Sequence, residues 1–128
     1  MVVVDTNIII DHLRQKAPND SIFSKILART KPDDLAISTI TIQELFTGQS
    51  TKDKEIEKLI LAILLPVNIL SYTYEVAKMA GEITRDLNRP IELADVAIAA
   101  TAILNECEFA TLNKKHFEGI KDLEFLDL

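Results

Sequence analysis

The chemistry-bearing residues of this 128-residue chain are oxygen donors that stand where apolar segments end. MVVVD closes its opening run of valines on Asp5, TITIQELF carries Glu44, ELADVAIAATA carries Asp95, and FATLN runs into Asn113. Carboxylate and amide oxygens are the ligands of a hard divalent cation, Mg²⁺ or Mn²⁺, which keeps several waters and needs few protein carboxylates. Nitrogen and sulfur donors are scarce, with two histidines and one cysteine, and this argues against zinc.

The elements that must position these residues can be read from hydrophobic periodicity. Met1 to Val4 is an unbroken β-branched run and predicts a short buried strand. Thr6 and Asn7 are placed to cap a helix from Ile8 to about Arg14, and Pro18-Asn19-Asp20-Ser21 restarts one through Phe23, Ile26 and Leu27. Lys31-Pro32-Asp33-Asp34 is a turn, and Leu35 to Ser38 a second strand. Thr39 or Thr41 caps a helix that carries Glu44 and stops at Gly48. Thr51 opens a further helix with Ile56, Leu59, Ile60, Ile63 and Leu64 on its apolar side, closed by Pro66. Val67 to Leu70 is a third strand, followed by helices over about Tyr74 to Leu87 and Leu93 to Asn105. The second of these is rich in alanine, which permits close approach to a sheet or another helix. Phe109 to Leu112 is a fourth strand, Asn113 starts a helical turn, and Glu124 to Leu126 is a marginal fifth strand.

Short apolar strands alternating with helices predict an α/β/α sandwich around a short, mainly parallel sheet of four to five strands, within one domain spanning residues 1–128. In such a sheet, ligands gather at the carboxyl ends of the strands. Asp5, Glu44, Asp95 and Asn113 all fall at or just after such ends, so distant segments deliver oxygen ligands to one rim. Glu92 lies one helical turn before Asp95 on the same face and is a secondary candidate.

Each of these residues also has a purely structural use. Asp5-Thr6-Asn7 suits a helix N-terminus, and Thr41-Ile42-Gln43-Glu44 matches a capping box. Asp95 and Glu92 favour a helix N-terminus through its dipole, and Asn113 caps the turn containing His116 and Phe117. Neutral caps would serve as well. Gathering carboxylates on one rim adds like-charge repulsion, which costs stability unless a cation compensates it.

Composition narrows the class. The formal charge is −6, which excludes gripping nucleic acid by overall charge but not a site whose acids surround a cation. Cys107 has no partner for a disulfide and reads as a small buried hydrophobe. Three glycines, none in a Gly-rich loop after a strand, exclude a P-loop or dinucleotide fingerprint. The longest apolar stretch, Leu59 to Val67, is far short of the roughly 20 residues of a membrane span, and the N-terminus lacks a basic region ahead of an apolar one. A cytoplasmic location is expected.

The segments MVVVDTNIIIDHL, ISTITIQELFTG, ELADVAIAATA and FATLNKKHFEGI, in this order and across essentially the whole chain, resemble the motifs of the PIN domain, and the compact length resembles the VapC-type toxins of prokaryotic toxin–antitoxin pairs. The resemblance implies a metal-dependent ribonuclease. It makes Asp5, Glu44 and Asp95 the acidic metal ligands, with Thr6 and Asn7 supporting them, and places Thr111 and Asn113 on the last motif. Many members carry Asp where this chain has Asn113, so one tightly held Mg²⁺ or Mn²⁺ is expected rather than two. A cation-activated water would attack the scissile phosphorus, oriented or deprotonated by Asp5 or Asp95, leaving 5′-phosphate and 3′-hydroxyl ends. Arg14, Arg85, Arg89, Lys114 and Lys115 are the candidate RNA contacts, while His12 and His116 read as structural or surface residues. The resemblance also implies a cognate antitoxin and a homodimer, with part of the Ile56–Leu64 stripe lining a groove for an antitoxin segment or a homodimer face.

Three other readings stay open. A haloacid-dehalogenase-like phosphatase needs a second Asp where Asn7 stands. A phospho-receiver domain needs an acidic pair near the first strand and a lysine after the last. A non-catalytic PIN-fold scaffold is supported only by Asn113.

Overall fold

The structure is a computed structural model and describes residues 1–17 and 20–128. The elements are β1 (Val2–Val4), α1 (Thr6–Arg14), α2 (Ile22–Arg29), β2 (Leu35–Ser38), α3 (Thr39–Thr47), α4 (Lys54–Leu64), β3 (Asn68–Leu70), α5 (Tyr74–Asp86), α6 (Leu93–Leu104) and β4 (Glu108–Ala110). Single 3₁₀ turns cover Pro32–Asp34, Gln49–Lys52 and Lys114–Phe117.

The strands form one parallel sheet in the order β3-β2-β1-β4. The chain leaves β1 toward β2 on one side, and β4 joins it on the other. This makes the end of β1 a topological switch point, where the flanking connections diverge and leave a crevice. Asp5 is the first residue past that end.

Alternation along the strands builds both layers. Val2 and Val4, with Leu35 and Ile37, pack against Ile8, Ile9, Phe23, Ile26 and Ile60 from α1, α2 and α4. Val3 and Ala36, in register with each other and with Phe109, face Ile98, Ala99 and Ala102 of α6. A strand buried on both faces has to read as a continuous apolar run, and β1 and β2 do. The alanines of α6 divide between two partners: Ala99 and Ala102 meet the sheet, while Ala100 and Val96 meet Val76 and Ala80 of α5. Cys107 is buried beside them.

Several boundaries differ from the sequence expectation, each for a local reason. Asp5, not Thr6 or Asn7, caps α1, so the helix begins at Thr6. Ser38 caps α3 through Ile40 N, 3.0 Å from its Oγ, so Thr39 and Thr41 lie inside the helix. Thr51 belongs to a 3₁₀ turn, and α4 starts two residues after it ends because Asp53 accepts from Glu55 N. The helix expected to restart around Pro18-Asn19-Asp20-Ser21 begins at Ile22, capped by Ser21, whose Oγ accepts from Ser24 N; Pro18 and Asn19 lie outside the described residues. β4 ends at Ala110, which leaves Thr111 and Leu112 in the loop beyond it. The fifth strand reduces to a single bridge between Phe109 and Phe125, because only Phe109 offers both of its backbone groups to that segment.

Because Ala99 is fully buried against the sheet, a larger side chain there must lift α6 off it. Ala99→Leu is expected to cost about 1–3 kcal/mol in urea denaturation, the usual cost of overpacking. A variant as stable as the parent would show that the helix is not seated this closely.

Candidate metal centre

Asp5 is 4% exposed, and both of its carboxylate oxygens are engaged. Oδ1 accepts from the backbone N–H of Thr6 at 2.8 Å, which is the N-cap bond of α1. Oδ2 accepts from the Thr111 hydroxyl at 2.8 Å, across the crevice between β1 and β4. The Asp5 N–H donates to Ala110 O at 2.9 Å, which keeps the ladder closed up to the site. Burial pushes the Asp5 carboxyl up to about 6; the bonds from Thr111 and Thr6 oppose this, and the charges of Asp95 and Glu44 add to it.

The remainder of the DTN segment holds the surroundings. Thr6 Oγ1 donates to Glu44 Oε1 at 2.7 Å and lies 3.0 Å from Thr41 Oγ1. A hydroxyl has one proton, and the shorter, charge-assisted bond to Glu44 takes it, so Thr41 supplies the hydrogen for the other contact. Asn7 reaches the opposite way: Nδ2 donates to Thr111 Oγ1 at 3.3 Å and Oδ1 accepts from Leu112 N at 3.3 Å. Thr111 Oγ1 also accepts from Asn113 N at 3.1 Å, so its one proton and two lone pairs are all used. The capping box expected at Thr41 and Glu44 does not form. Thr41 sits within α3 rather than at its cap, and Glu44 turns to Thr6 instead.

Asp95 lies in the first turn of α6 with its side chain 22% exposed. His116 Nδ1 is 3.6 Å from its Oδ2. Its carboxyl stands above the usual carboxylate range, chiefly through burial; His116 and Arg89 pull it down, while Glu92 and Glu44 push it up. Glu92 occupies the N-cap position of α6, is exposed, and makes no side-chain cap bond. Asn113 precedes the last 3₁₀ turn but does not cap it: its Nδ2 lies 2.9 Å from His116 Nε2. His116 is exposed, as expected, yet it contacts both Asn113 and Asp95, which sequence reasoning did not foresee. The spacing Asn113–His116 is the clue, since residues i and i+3 of a 3₁₀ turn stack on one side. His12 is structural as expected, with Nδ1 2.7 Å from Ser21 Oγ and its ring edge-on to Phe23.

The basic candidates separate by position. Lys114 and Lys115 are exposed on the turn beside Asn113, with Lys114 Nζ 5.4 Å from the centre of the Phe125 ring. Arg89 flanks Asp95 but spends its guanidinium on the carbonyls of Pro90, His116 and Glu118, at 3.2, 2.9 and 2.7 Å. Arg85 is paired through two bonds with Asp86, and Arg14 ends α1, on the far side of the helix from the rim.

Asp5 feels the charges of Asp95 and Glu44, and Asp95 that of Glu44, yet among the described residues no three Asp, Glu, His or Cys side chains converge tightly enough to close a metal cage by themselves. The donor set is all oxygen, and Asp5 is a buried carboxylate with no cationic side chain bonded to it among the described residues. An open, oxygen-only arrangement fits a cation such as Mg²⁺ that retains much of its own water, and does not fit zinc.

The PIN domain family model matches residues 2–123. The chain belongs to the PIN domain family. It is 34% identical over 128 residues to Ribonuclease VapC10 of Mycobacterium tuberculosis, covering 97% of this chain and 91% of that protein. Among solved structures it is similar to VapBC2 of Rickettsia felis bound to a promoter DNA fragment (TM-score 0.86, 25% identity, 100% and 99% of the two chains). It is also similar to VapBC-1 of nontypeable Haemophilus influenzae (TM-score 0.74, 32% identity, 99% and 98%). The parallel sheet with helices on both faces is thus the PIN domain architecture, with the crevice at the β1–β4 switch point occupied by the DTN network.

Because folding raises the Asp5 carboxyl from 3.8 to about 6, the native state binds more protons than the unfolded chain between those values. Its stabilising contribution is therefore present at low pH and lost as pH rises through about 6. In EDTA, the stability of the parent relative to Asp5→Asn is expected to fall by about 2 kcal/mol from pH 4 to pH 7. Mn²⁺ at pH 7 is expected to restore the parent alone, by binding only its native state. A difference that stays flat across this range would contradict the burial of an unpaired carboxylate.

Proposed function

We propose that this PIN domain is a VapC-type endoribonuclease that hydrolyses RNA phosphodiester bonds with Mg²⁺ or Mn²⁺ held by Asp5, Glu44 and Asp95. The observation that carries the reading is the Asp5 carboxylate at the sheet's switch point, its pKa raised chiefly by burial and further by the charges of Asp95 and Glu44, with no cationic side chain bonded to it among the described residues. Supporting it are the ribonuclease name of the relative at 34% identity and the membership in the PIN domain family.

When bound, the cation supplies an acidified water and charge neutralisation at the phosphate. The residues of the chain do the rest. Thr111 and the Thr6 amide hold the two Asp5 oxygens in fixed directions. Thr6 does the same for Glu44. Asp5 or Asp95 would orient the attacking water or accept its proton. Lys114 and Lys115, exposed beside the rim, are the basic side chains best placed to meet phosphates in a chain of net charge −6. Arg89 serves the loop instead, and Arg85 and Arg14 lie elsewhere.

RNA cleavage is expected to require Mn²⁺ or Mg²⁺ and to stop with chelator. Asp5→Asn and Asp95→Asn are expected to lower the rate at least roughly a hundredfold, the scale of removing one charge-stabilising group at a reacting centre. Cleavage that survives EDTA, or persists in both variants, would defeat the reading.

The partner we propose is an antitoxin segment. A groove of about 430 Å³ between α1, α2 and α4 is lined by His12, Leu13, Phe23, Leu27, Leu59 and Ile63, among others. Leu59 leaves 53% of its surface uncovered there, whereas Ile60 and Leu64 on the same stripe belong to the core. The structural neighbours named as VapBC complexes support this occupant. We also propose a homodimer, favoured by Tyr74 and Leu93, which are 76% and 79% exposed, and a cytoplasmic site of action. No described helix is long and apolar enough to cross a membrane. Leu59→Glu is expected to leave RNA cleavage within about twofold while weakening inhibition by the cognate antitoxin at least tenfold, the effect of losing an apolar anchor in a groove. Unchanged inhibition would place the antitoxin elsewhere.

A further inference from the structure

We propose that His116 is a positioning residue for Asp95 and takes over, in this chain, the task of ordering the side of the site where Asn113 brings no charge. The proposal rests on the metal-dependent nuclease reading and deepens it.

The geometry is a continuous chain of contacts around the rim. Arg89 donates to the carbonyl oxygens of His116 and Glu118, fixing the backbone of the last turn against the segment that leads into α6. The His116 N–H donates to Asn113 O at 3.1 Å, and the Asn113 N–H donates to Thr111 Oγ1, which holds Asp5. Between these fixed points, the imidazole has one nitrogen 2.9 Å from Asn113 Nδ2 and the other 3.6 Å from Asp95 Oδ2. A carboxylate only accepts, so the nitrogen facing Asp95 makes an attractive contact when it carries the proton. The other nitrogen of the neutral ring then holds a lone pair, and Asn113 offers it an N–H. The acceptor-only Asp95 thus favours the Nδ1–H form of the ring, and Asn113 answers it with an N–H toward Nε2, which a carboxylate at position 113 could not offer. The neutral Asn113 and His116 act as one device: Asp95 sets the tautomer, and the amide holds the ring that aims a donor at it.

The separation of 3.6 Å is longer than a hydrogen bond, and such contacts tighten when a catalytic site is loaded. His116, Asp95, Glu92 and Arg89 wall a small open cavity of about 130 Å³, so the ring has room to close on the carboxylate. The His116 side chain is 60% exposed, which separates its role from that of a core residue such as the adjacent Phe117.

The test uses two isosteres. In His116→Asn, the side-chain N–H₂ falls where Nδ1 stood and keeps the contact to Asp95. In His116→Gln, it falls where Nε2 stood and keeps the contact to Asn113. Mn²⁺ affinity by calorimetry, kcat and KM on RNA, and thermal melting are measured for both variants and for His116→Ala in the full-length chain. His116→Gln and His116→Ala are expected to bind Mn²⁺ at least tenfold more weakly and to lose about ten- to a hundredfold in kcat with KM unchanged, as when a group orienting a metal ligand is removed. His116→Asn is expected to stay within about threefold of the parent, and all three to melt within about 3 °C of it, the scale of a surface substitution. Nitrogen-15 spectra of the metal-free parent at alkaline pH are expected to show the proton on Nδ1 of His116. A proton on Nε2, a His116→Gln variant equal to the parent, or a His116→Asn variant as poor as His116→Ala overturns the proposal. Failure of the parent to take up Mn²⁺ overturns the nuclease reading along with it, so the two failures are told apart.

Discussion

The structure turns on one carboxylate kept out of water at the end of the central strand. Asp5 caps α1 with one oxygen and takes the Thr111 hydroxyl with the other, so the same side chain starts a helix and ties β1 to the loop beyond β4. Two hydrogen bonds do not offset the loss of hydration, and the charges of Asp95 and Glu44 make the ionised form costlier still. Strand order, helix caps and threonine hydroxyls are all arranged so that this costly group stands at the crevice. That is the usual signature of a site whose working state includes a compensating charge.

The supporting polar groups show how the fold limits freedom around it. The members of Asp5-Thr6-Asn7 reach two other segments: Asp5 and Asn7 bond the loop after β4, at Thr111 and Leu112, and Thr6 bonds the middle of α3. Among the described residues no buried side-chain nitrogen or oxygen is left without a partner, so none of the network is idle. A short connection thereby fixes two segments that are far apart in the sequence. Alanines on α6 contribute from the other side, because only small side chains bring that helix close enough to seat Asp95 near the same rim.

On the proposed function, the chain's acidity and a role on RNA are reconciled by where the charges lie. Basic side chains near the rim are divided between two tasks: Arg89 is consumed by backbone carbonyls, while Lys114 and Lys115 remain exposed. Recognition of an anionic polymer then depends on the cation and a few exposed lysines rather than on the net field of the molecule. The apolar groove at α4 lies on the face opposite α6, so a partner can dock on the first layer while the network that holds Asp5 stays intact.

The sequence by itself determined the architecture and the acids. Unbroken β-branched runs can be satisfied only by a sheet covered on both faces, and Asp5, Glu44 and Asp95 stood out because carboxylates appeared where neutral caps would do. What it did not reveal were the partners of each side chain. Thr41 and Glu44 have the spacing of a capping box, but Ser38 had already taken the cap, and Glu44 was free to meet Thr6, 38 residues away. His116 is the surface residue it looked like, but its two contacts were hidden: one is with Asn113, which the turn brings round, and one with Asp95, which only the packing of α6 brings near. Local spacing fixes which elements form, since the backbone's hydrogen bonds are short in sequence. Which polar atoms meet across the crevice is decided by the order of strands in the sheet, and no single segment encodes that order.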